Sequence, residues 1–556
     1  MQIVIPMSGF GERFRRAGYS VPKPLIEIEG KPIISHVIDM FPGEVSFFFI
    51  CNQDHLDSDE YKMEEIIRTY CPTGEIIGIK PHKLGPVHAV LEIQHLLDMD
   101  DEVVVNYCDF TCYWDWDHFK EFVGKANCNG AIPAYKGFHP HSLGNTNYAY
   151  MLEEDGWVQD IQEKKPYTND RMNEFASSGT YYFSSARIMI ESFNVVIDKN
   201  MNVSGEFYVS LAYKTLINKD QSVAVYPLQH FMQWGTPEDV HEYNIWSDAF
   251  KGLMDEAIIE HDSKNYIVMP MGGLGSRFAT DGYKKTKPLI PVSGLPMVIQ
   301  AANHLPPSKF SVFVLRKDMD GYQEVINEIR DTFPKAAIKT IDHVTEGQAC
   351  TALLGLDVMD NRTYIDGPLT IGACDNGAIY DAHALQRMLD DTNIDVVVWG
   401  IKGYPNAIRN PNMYGWLNMD GNTIKSVSVK TPLELPAKDP IIIGTFTFKK
   451  SSDFRLVVDS LIKRDGKVNG EFYIDSCIED AIALGLRCEL FEINSYLCWG
   501  TPNDLRTFEY WQSCFDKWNG HPYKLNLDQH VPESKIGTLR KQYQRTTPEV
   551  PINYGD

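Results

Sequence analysis

The 556-residue sequence has no long hydrophobic run, and this absence argues against a protein built from membrane-spanning helices. A spanning helix needs about 18 consecutive apolar residues, whereas the longest apolar runs, such as VSFFFIC at 45–51, have only the length of a strand. The N-terminal residues MQIVIPMSGFG have the pattern of a strand that runs into a Gly turn, with no basic segment before an apolar stretch. We therefore expect no membrane partner and a cytoplasmic location.

Basic residues are fewer than acidic residues. Lys and Arg total 52 against 75 for Asp and Glu, so the formal net charge is −23 and the pI is near 5.1. Such an acidic surface argues against a nucleic-acid partner, although it leaves room for a local basic pocket that binds phosphates. The 11 cysteines are odd in number and form no Cys-x-x-Cys pair, which is typical of reduced thiols in a cytoplasmic protein.

What the sequence does contain is a repeat of itself. Residues 3–33 and 267–297 are identical at 16 of 31 positions, at a constant offset of 264. Later landmarks follow in the same order, among them GEFYVS at 205–210 with GEFYID at 470–475. The period is far too long for a solenoid unit, so we interpret it as a duplicated domain. The predicted organisation is copy one at 1–245, a helical connector at 246–264, copy two at 265–515 and a polar C-terminal tail at 516–556.

Short β-rich runs alternate with helical stretches in copy one. Strands are predicted at 2–6, 45–51, 75–80 and 102–107, and helices at 31–41, 64–70 and 87–97. This alternation predicts an α/β fold in which a mixed, mostly parallel sheet is flanked by helices. Ligands bind beyond the carboxyl ends of the strands in such sheets, and two Gly-rich turns and two aspartates fall there.

Each Gly-rich turn follows the first strand of a copy and precedes an Arg and a Lys-Pro pair at fixed distances. Glycine lets backbone N–H groups approach phosphate oxygens closely, while Arg offers a planar fork and Lys a point charge. Neither the dinucleotide fingerprint nor the Walker A pattern is present. The turns consist of Met7, Ser8, Gly9 and Gly11, and of Met271, Gly272, Gly273 and Gly275.

The motifs GFGERF…KPLIEIEGKP and GLGSRF…KPLIPVSGLP resemble those of sugar-phosphate nucleotidyltransferases, the nucleoside-diphosphate-sugar pyrophosphorylases. The chain is most similar to members that act in capsule and surface-glycan pathways. The resemblance implies two tandem Rossmann-like nucleotide-diphospho-sugar transferase domains with Mg²⁺ as cofactor. It also implies an NTP and a phosphorylated sugar or polyol-type acceptor as substrates, and pyrophosphate as a product. A homo-oligomer remains open.

The resemblance assigns roles to individual residues. Those implied to stabilise the triphosphate or the acceptor phosphate are Arg13, Lys23, Lys164, Arg277, Lys287 and Lys430. Those implied to bind Mg²⁺ are Asp109 and Asp375, and those implied to lie against the base are Gly85 and Gly347. Glu163 and Gly179 are implied to contact the acceptor, and the recurring GEFY motifs add Glu206 and Glu471 as candidates for the same pocket.

Copy two departs from this pattern at Val429, which stands where copy one has Glu163. Many relatives carry a second Mg²⁺ carboxylate where this chain has Gln233 and Cys498. Two alternatives therefore stay open: one copy is a silent regulatory or assembly domain, or the chain is a glycosyltransferase that consumes a nucleotide-sugar. The Arg and Lys-Pro signature disfavours the second, because a glycosyltransferase needs no triphosphate clamp.

Overall fold

The computed structural model describes residues 1–255, 265–360, 366–544 and 547–552. Contacts divide these residues into two compact units. The first contains Met1–Asn244, Lys517–His521 and the described residues from Gln544 onward, and the second contains the described residues of Ile245–Asp516 and Pro522–Tyr543. Among the described residues, no helix combines the length and the apolar character that crossing a membrane requires.

Copy one is built on a single ten-stranded mixed sheet. Its strands, together with those of two small two-stranded sheets, are β1 (Gln2–Met7), β2 (Glu27–Ile28), β3 (Lys31–Pro32), β4 (Phe47–Asn52), β5 (Glu75–Ile79), β6 (Val103–Asn106), β7 (Phe110–Tyr113), β8 (Gly130–Tyr135), β9 (Ala149–Glu154), β10 (Trp157–Glu163), β11 (Phe175–Ser177), β12 (Thr180–Phe183), β13 (Val223–Pro227) and β14 (His230–Gln233). The order across the sheet is β5-β4-β1-β6-β12-β8-β13-β10-β9-β11.

The parallel part of this sheet contains the strands that the sequence predicts. Strands β5, β4, β1 and β6 pair in parallel, and every residue of β1, β4 and β6 is buried, as expected for a sheet covered on both faces. The other half is mainly antiparallel, with β8 and β13 as its parallel pair. The expected mixed α/β sheet is thus confirmed, with a larger antiparallel share than the alternation in the first 110 residues indicates.

Helices cover the sheet of copy one. They are α1 (Glu12–Arg16), α2 (Ile33–Ile38), α3 (Gln53–Leu56), α4 (Met63–Tyr70), α5 (Pro86–Glu92), α6 (Trp116–Ala126), α7 (Ala186–Asp198), α8 (Ser210–Ile217) and α9 (Pro237–Asp255). The helix predicted at 31–41 begins two residues late because Lys31–Pro32 pairs with Glu27–Ile28. The helix predicted at 87–97 ends at Glu92, and a single 3₁₀ turn follows at Gln94–Leu96.

Copy two repeats this architecture. Its strands are β15 (Tyr266–Met271), β16 (Pro291–Val292), β17 (Leu295–Pro296), β18 (Phe310–Arg316), β19 (Ala337–Ile341), β20 (Leu369–Ile371), β21 (Asn376–Ile379), β22 (Val396–Ile401), β23 (Gly415–Asp420), β24 (Thr423–Val429), β25 (Ile441–Phe448), β26 (Cys488–Glu492) and β27 (Ser495–Cys498). The sheet order β19-β18-β15-β20-β25-β22-β26-β24-β23 matches the first nine strands of copy one, position for position. The long strand β25 replaces the separate strands β11 and β12.

The helices of the second half follow the same plan and continue beyond copy two. They are α10 (Ser276–Thr280), α11 (Met297–Asn303), α12 (Tyr322–Thr332), α13 (Gln348–Asp360), α14 (Ala382–Asp390), α15 (Pro405–Arg409), α16 (Ser451–Lys463), α17 (Ile474–Ala483), α18 (Pro502–Lys517) and α19 (Glu533–Tyr543). Helix α9 contains the first part of the predicted connector, and residues 256–264 lie outside the described residues. His530 lies in the predicted tail, and its carbonyl oxygen accepts a hydrogen bond from the side-chain amide of Gln300 at 2.8 Å.

Candidate active site

A cavity of about 680 Å³ opens at the carboxyl ends of β1 and β6 in copy one. All the site residues that the sequence predicts for this copy line it. They are Met7, Ser8, Gly9, Gly11, Arg13, Lys23, Gly85, Asp109, Glu163, Lys164, Gly179 and Glu206. The structure therefore brings together residues that are up to about two hundred positions apart in the chain.

The Gly-rich turn leads directly into helix α1. Gly11 is the residue before the helix and has a φ of 62°, and Gly275 has a φ of 65° at the same place in copy two. A left-handed backbone at this point favours glycine. The turn presents its backbone to the cavity, and Arg13 follows two residues later on an exposed face of α1 that also lines the cavity.

An ion pair between Lys23 and Asp109 lies at the centre of the site. The Lys23 Nζ is 2.9 Å from Oδ2 of Asp109, and both side chains are about one-quarter exposed. Burial works to lower the pKa of Lys23, but the attraction of the Asp109 carboxylate outweighs it and the pKa is raised. Lys23 is therefore a permanent cation at neutral pH. Copy two forms the same pair between Lys287 and Asp375.

The surroundings of Asp109 suit a hard divalent cation. A Cβ on Gly235 would lie 3.1 Å from Oδ2 of Asp109 and 3.5 Å from Nε2 of Gln233, so both side chains face this glycine. The buried Oε1 of Gln233 has no hydrogen-bond partner among the described residues. Carboxylate and amide oxygens are the ligands that Mg²⁺ accepts, so Asp109 and Gln233 fit the implied cofactor.

The corresponding place in copy two fits Mg²⁺ less well. Cys498 replaces Gln233, and burial holds the pKa of its thiol well above the usual value. A protonated thiol is a poor ligand for a hard cation. Asp375 is the carboxylate that remains, with its ion pair to Lys287, which also donates to the carbonyl oxygen of Gly500 at 3.2 Å.

The loop that is implied to contact the base ends at Gly85, directly before helix α5. Gly85 has a φ of 88°, and a Cβ added there would lie 2.7 Å from the backbone nitrogen of Phe207. In copy two, the same contact between Gly347 and Phe472 would be 2.5 Å. A side chain at either position would therefore push the loop away from the GEFY segment.

Glu163 ends strand β10, Lys164 follows it, and both line the cavity. Lys164 has a φ of 59°, a conformation that non-glycine residues seldom adopt, and its N–H donates to the Tyr148 carbonyl at 2.8 Å. The Lys164 ammonium donates to the Tyr208 hydroxyl, which in turn donates to Glu206. This chain of hydrogen bonds orients the ammonium within the cavity.

Glu163 is a half-buried carboxylate that contacts helix α8. It accepts a hydrogen bond from Oγ of Ser210, the first residue of α8, at 2.6 Å. Burial raises the pKa of Glu163, while the hydrogen bond from Ser210 and the charge of Lys164 act against that rise. Among the described residues, the hydrogen bond from Ser210 is made to Oε2 of this carboxylate.

Copy two forms a smaller cavity of about 180 Å³ at the equivalent strand ends. The predicted residues that line it are Met271, Gly272, Gly273, Gly275, Lys287, Gly347, Asp375 and Glu471. Arg277 and Lys430 lie outside this lining, although the two side chains interact electrostatically. Lys430 repeats the left-handed backbone of Lys164, with a φ of 60°, and burial lowers its pKa.

Sequence reasoning overlooked the tyrosine of the GEFY motif. Tyr208 contacts both Lys164 and Glu206, and the Lys430 ammonium lies 5.7 Å from the ring centroid of Tyr473. The signal was present, because the tyrosine recurs in both copies two residues after the glutamate. Neither Ser210 nor Asp475 gives such a signal, since the residue at this position differs between the copies.

Comparisons with known proteins identify relatives for part of the chain. The sequence profile described as Nucleotidyl transferase matches residues 3–244. The bifunctional protein GlmU of Methanocaldococcus jannaschii is 23% identical over 265 residues, which cover 47% of this chain and 58% of that protein. GlmU of Listeria innocua is 25% identical over 278 residues, which cover 48% of this chain and 54% of that protein. The match therefore spans little more than half the length of these relatives.

Among solved structures, a nucleoside-diphosphate-sugar pyrophosphorylase from Vibrio cholerae is 19% identical and covers 44% of this chain and 98% of its own, with a TM-score of 0.37. An inositol-1-phosphate CTP transferase from T. maritima is 13% identical and covers 46% of this chain and 96% of its own, with a TM-score of 0.36.

Proposed function

Because residues 3–244 belong to the nucleotidyl transferase family, we propose that this chain transfers a nucleotidyl group from an NTP to the phosphate of a phosphorylated sugar or polyol-type acceptor. An acceptor phosphate oxygen forms a bond to the α-phosphorus, and the bond from that phosphorus to the leaving pyrophosphate breaks. No proton has to be removed, since the attacking oxygen is already ionised. A role in surface-glycan or capsule precursor synthesis stays a prediction.

The observation that carries this proposal is the Lys23–Asp109 pair beside the Gly-rich turn. Both reactants are anions, so the site must place fixed positive charge where they meet. Lys23, Arg13 and Lys164 all line the cavity. We assign the first two to the triphosphate and the third to the acceptor phosphate.

Asp109 and Gln233 are the residues that would bind Mg²⁺ in copy one. When bound, the ion neutralises negative charge on phosphate oxygens. The backbone of the Gly-rich turn binds further phosphate oxygens, and Gly85 keeps the base loop close to Phe207. Positioning and charge neutralisation supply the catalysis, as is usual for phosphoryl and nucleotidyl transfer.

The test is pyrophosphate release in a screen of NTPs against phosphorylated sugars and polyols, with Mg²⁺ present. We expect Lys23→Ala to reduce the turnover of copy one by about 100- to 1000-fold, since a fixed cation that stabilises the transition state is lost. The matched control is Lys125→Ala, which removes an exposed lysine of helix α6 that is 67% accessible.

Two outcomes would contradict the proposal. One is release of pyrophosphate that neither Lys23→Ala nor Lys287→Ala changes. The other is consumption of a nucleotide-sugar without any pyrophosphate chemistry, which would favour the glycosyltransferase alternative.

A further inference from the structure

Three positions on the acceptor side differ between the copies, and the structure relates them to one another. In copy one, Glu163 on β10 lies opposite Ala149 on β9. In copy two, Val429 on β24 lies opposite Gly415 on β23 in the same register. The carboxylate and the methyl group of copy one are therefore both missing from this pair of strands in copy two.

A carboxylate reappears in copy two on a neighbouring element. Asp475 follows GEFYI as Ser210 follows GEFYV, so it occupies the position of the hydroxyl that contacts Glu163 in copy one. It is the second residue of α17 and interacts electrostatically with Lys430. Burial raises the pKa of Asp475 to about 6, with Lys430 acting against the rise, so the carboxylate is ionised at neutral pH.

The present position of the Asp475 carboxylate depends on Gly415. A Cβ added to Gly415 would lie 2.3 Å from Oδ2 of Asp475, so the carboxylate would have to turn away from it. Copy one has Ala149 at that position and a small serine instead of the aspartate. Copy two thus differs from copy one at three linked positions. Ala149, Glu163 and Ser210 of copy one correspond to Gly415, Val429 and Asp475 of copy two.

We propose that Asp475 and Lys430 form the acceptor-binding site of copy two, in which Asp475 accepts a hydrogen bond from a hydroxyl group of a phosphorylated polyol and Lys430 binds its phosphate. This proposal rests on the proposed function and extends it to the second copy. Asp475 reaches the site from a helix and not from a strand, and both Asp475 and Lys430 lie outside the lining of the smaller cavity. The carboxylate of copy two therefore comes from a different element than that of copy one, and copy two takes a different acceptor.

The first experiment uses the full chain with Lys23→Ala, so that copy two is the source of turnover. A panel of short phosphorylated polyols and hexose phosphates is screened by pyrophosphate release. Adding Asp475→Asn, which keeps the size of the side chain, is expected to raise the acceptor KM about 10- to 100-fold and to leave the NTP KM within about twofold. Glu163→Gln in a Lys287→Ala chain is the matched change in copy one.

A second experiment separates recognition from a purely structural role. The triple change Gly415→Ala, Val429→Glu and Asp475→Ser rebuilds the copy-one arrangement in copy two. We expect it to restore acceptor binding that Asp475→Asn loses, and to move acceptor preference towards that of copy one. If Asp475→Asn instead lowers thermal stability and changes both KM values equally, Asp475 is structural and the inference is wrong.

The inference and the proposed function can fail separately. Calorimetric titration of the Lys23→Ala chain with the same phosphorylated polyols measures binding without turnover. Binding that requires Asp475, in the absence of Lys287-dependent pyrophosphate release, supports the site and contradicts the activity of copy two. Turnover that depends on Lys287 but not on Asp475 supports the activity and overturns the site. If the Lys23→Ala chain with its natural Asp475 neither binds these compounds nor releases pyrophosphate with them, both the site and the activity of copy two are overturned.

Discussion

At the scale of single residues, the candidate site consists of fixed cations beside a carboxylate. The sequence named Lys23, Asp109 and Lys164, because each lies in a motif that recurs or resembles a known pattern. It did not predict the contacts of Tyr208 and Ser210, which depend on pairing between segments 44 and 47 residues apart. Such contacts follow from the approach of α8 to β10, which no local pattern encodes. The roles of all these residues stay predictions.

The Tyr208 hydroxyl provides a test at this scale. Tyr208→Phe removes the hydroxyl that bridges Lys164 and Glu206, and the Lys164 ammonium then loses a fixed partner. We expect the acceptor KM of copy one to rise about tenfold, the value of one hydrogen bond to a charged group, with the NTP KM unchanged. Initial-rate kinetics of the Lys287→Ala chain give both constants.

The matched control is Tyr473→Phe, which makes the same change in copy two and leaves the kinetics of copy one unaltered. An equal rise in the NTP KM would show that Tyr208 supports the whole cavity and not the acceptor lysine.

At the scale of elements, apolar patterning predicted the buried parallel strands well, and it predicted the antiparallel strands and the helix ends less well. Strands β1, β4 and β6 are continuous apolar runs, so the sequence alone locates them to within two residues. The antiparallel half was not predicted in detail, since its pairings join strands through hairpins and long connections. The division of one predicted helix after Glu92 likewise depends on tertiary packing and not on helical periodicity.

Packing between two helices of the second unit predicts a pH effect. Glu509 on α18 has its pKa raised to about 7 by burial, with Arg506 and a hydrogen bond from Gln542 acting against the rise. The folded state thus retains a proton that the unfolded chain releases at about pH 4.5, so the ionisation costs stability as pH rises from about 4.5 to 7. Glu509→Gln avoids this loss.

We expect the free energy of unfolding of Glu509→Gln, relative to the natural chain, to increase between pH 5 and pH 8 by up to about 3 kcal/mol. Urea unfolding followed by circular dichroism at a series of pH values measures the trend. Glu65→Gln changes an exposed glutamate, 74% accessible, and should show no such trend. A difference for Glu509→Gln that stays constant with pH would contradict the assignment.

At the scale of the whole molecule, the two copies share the order of nine strands and each has its own Lys–Asp pair. Each copy therefore has the Lys–Asp pair on which the proposed function depends. We expect the turnover that remains in Lys23→Ala and in Lys287→Ala, measured with a mixture of both acceptors, to add up to that of the natural chain. The double variant should retain almost none.

Lys425→Ala, which changes a lysine of copy two that is 54% accessible, is the control for Lys287→Ala. Full turnover in Lys287→Ala with every acceptor would favour the alternative that copy two is silent.

The crowding between residue 415 and the aspartate on α17 also constrains the history of the duplication. With alanine at 415, the carboxylate of Asp475 would have to turn away from the added methyl group, so an aspartate accepted first could not have taken its present position. If the ancestor had the arrangement now seen in copy one, the glycine was a permissive substitution that opened the route. The divergence of the two halves would then have followed an ordered mutational path, in which an apparently neutral change came before the change in specificity.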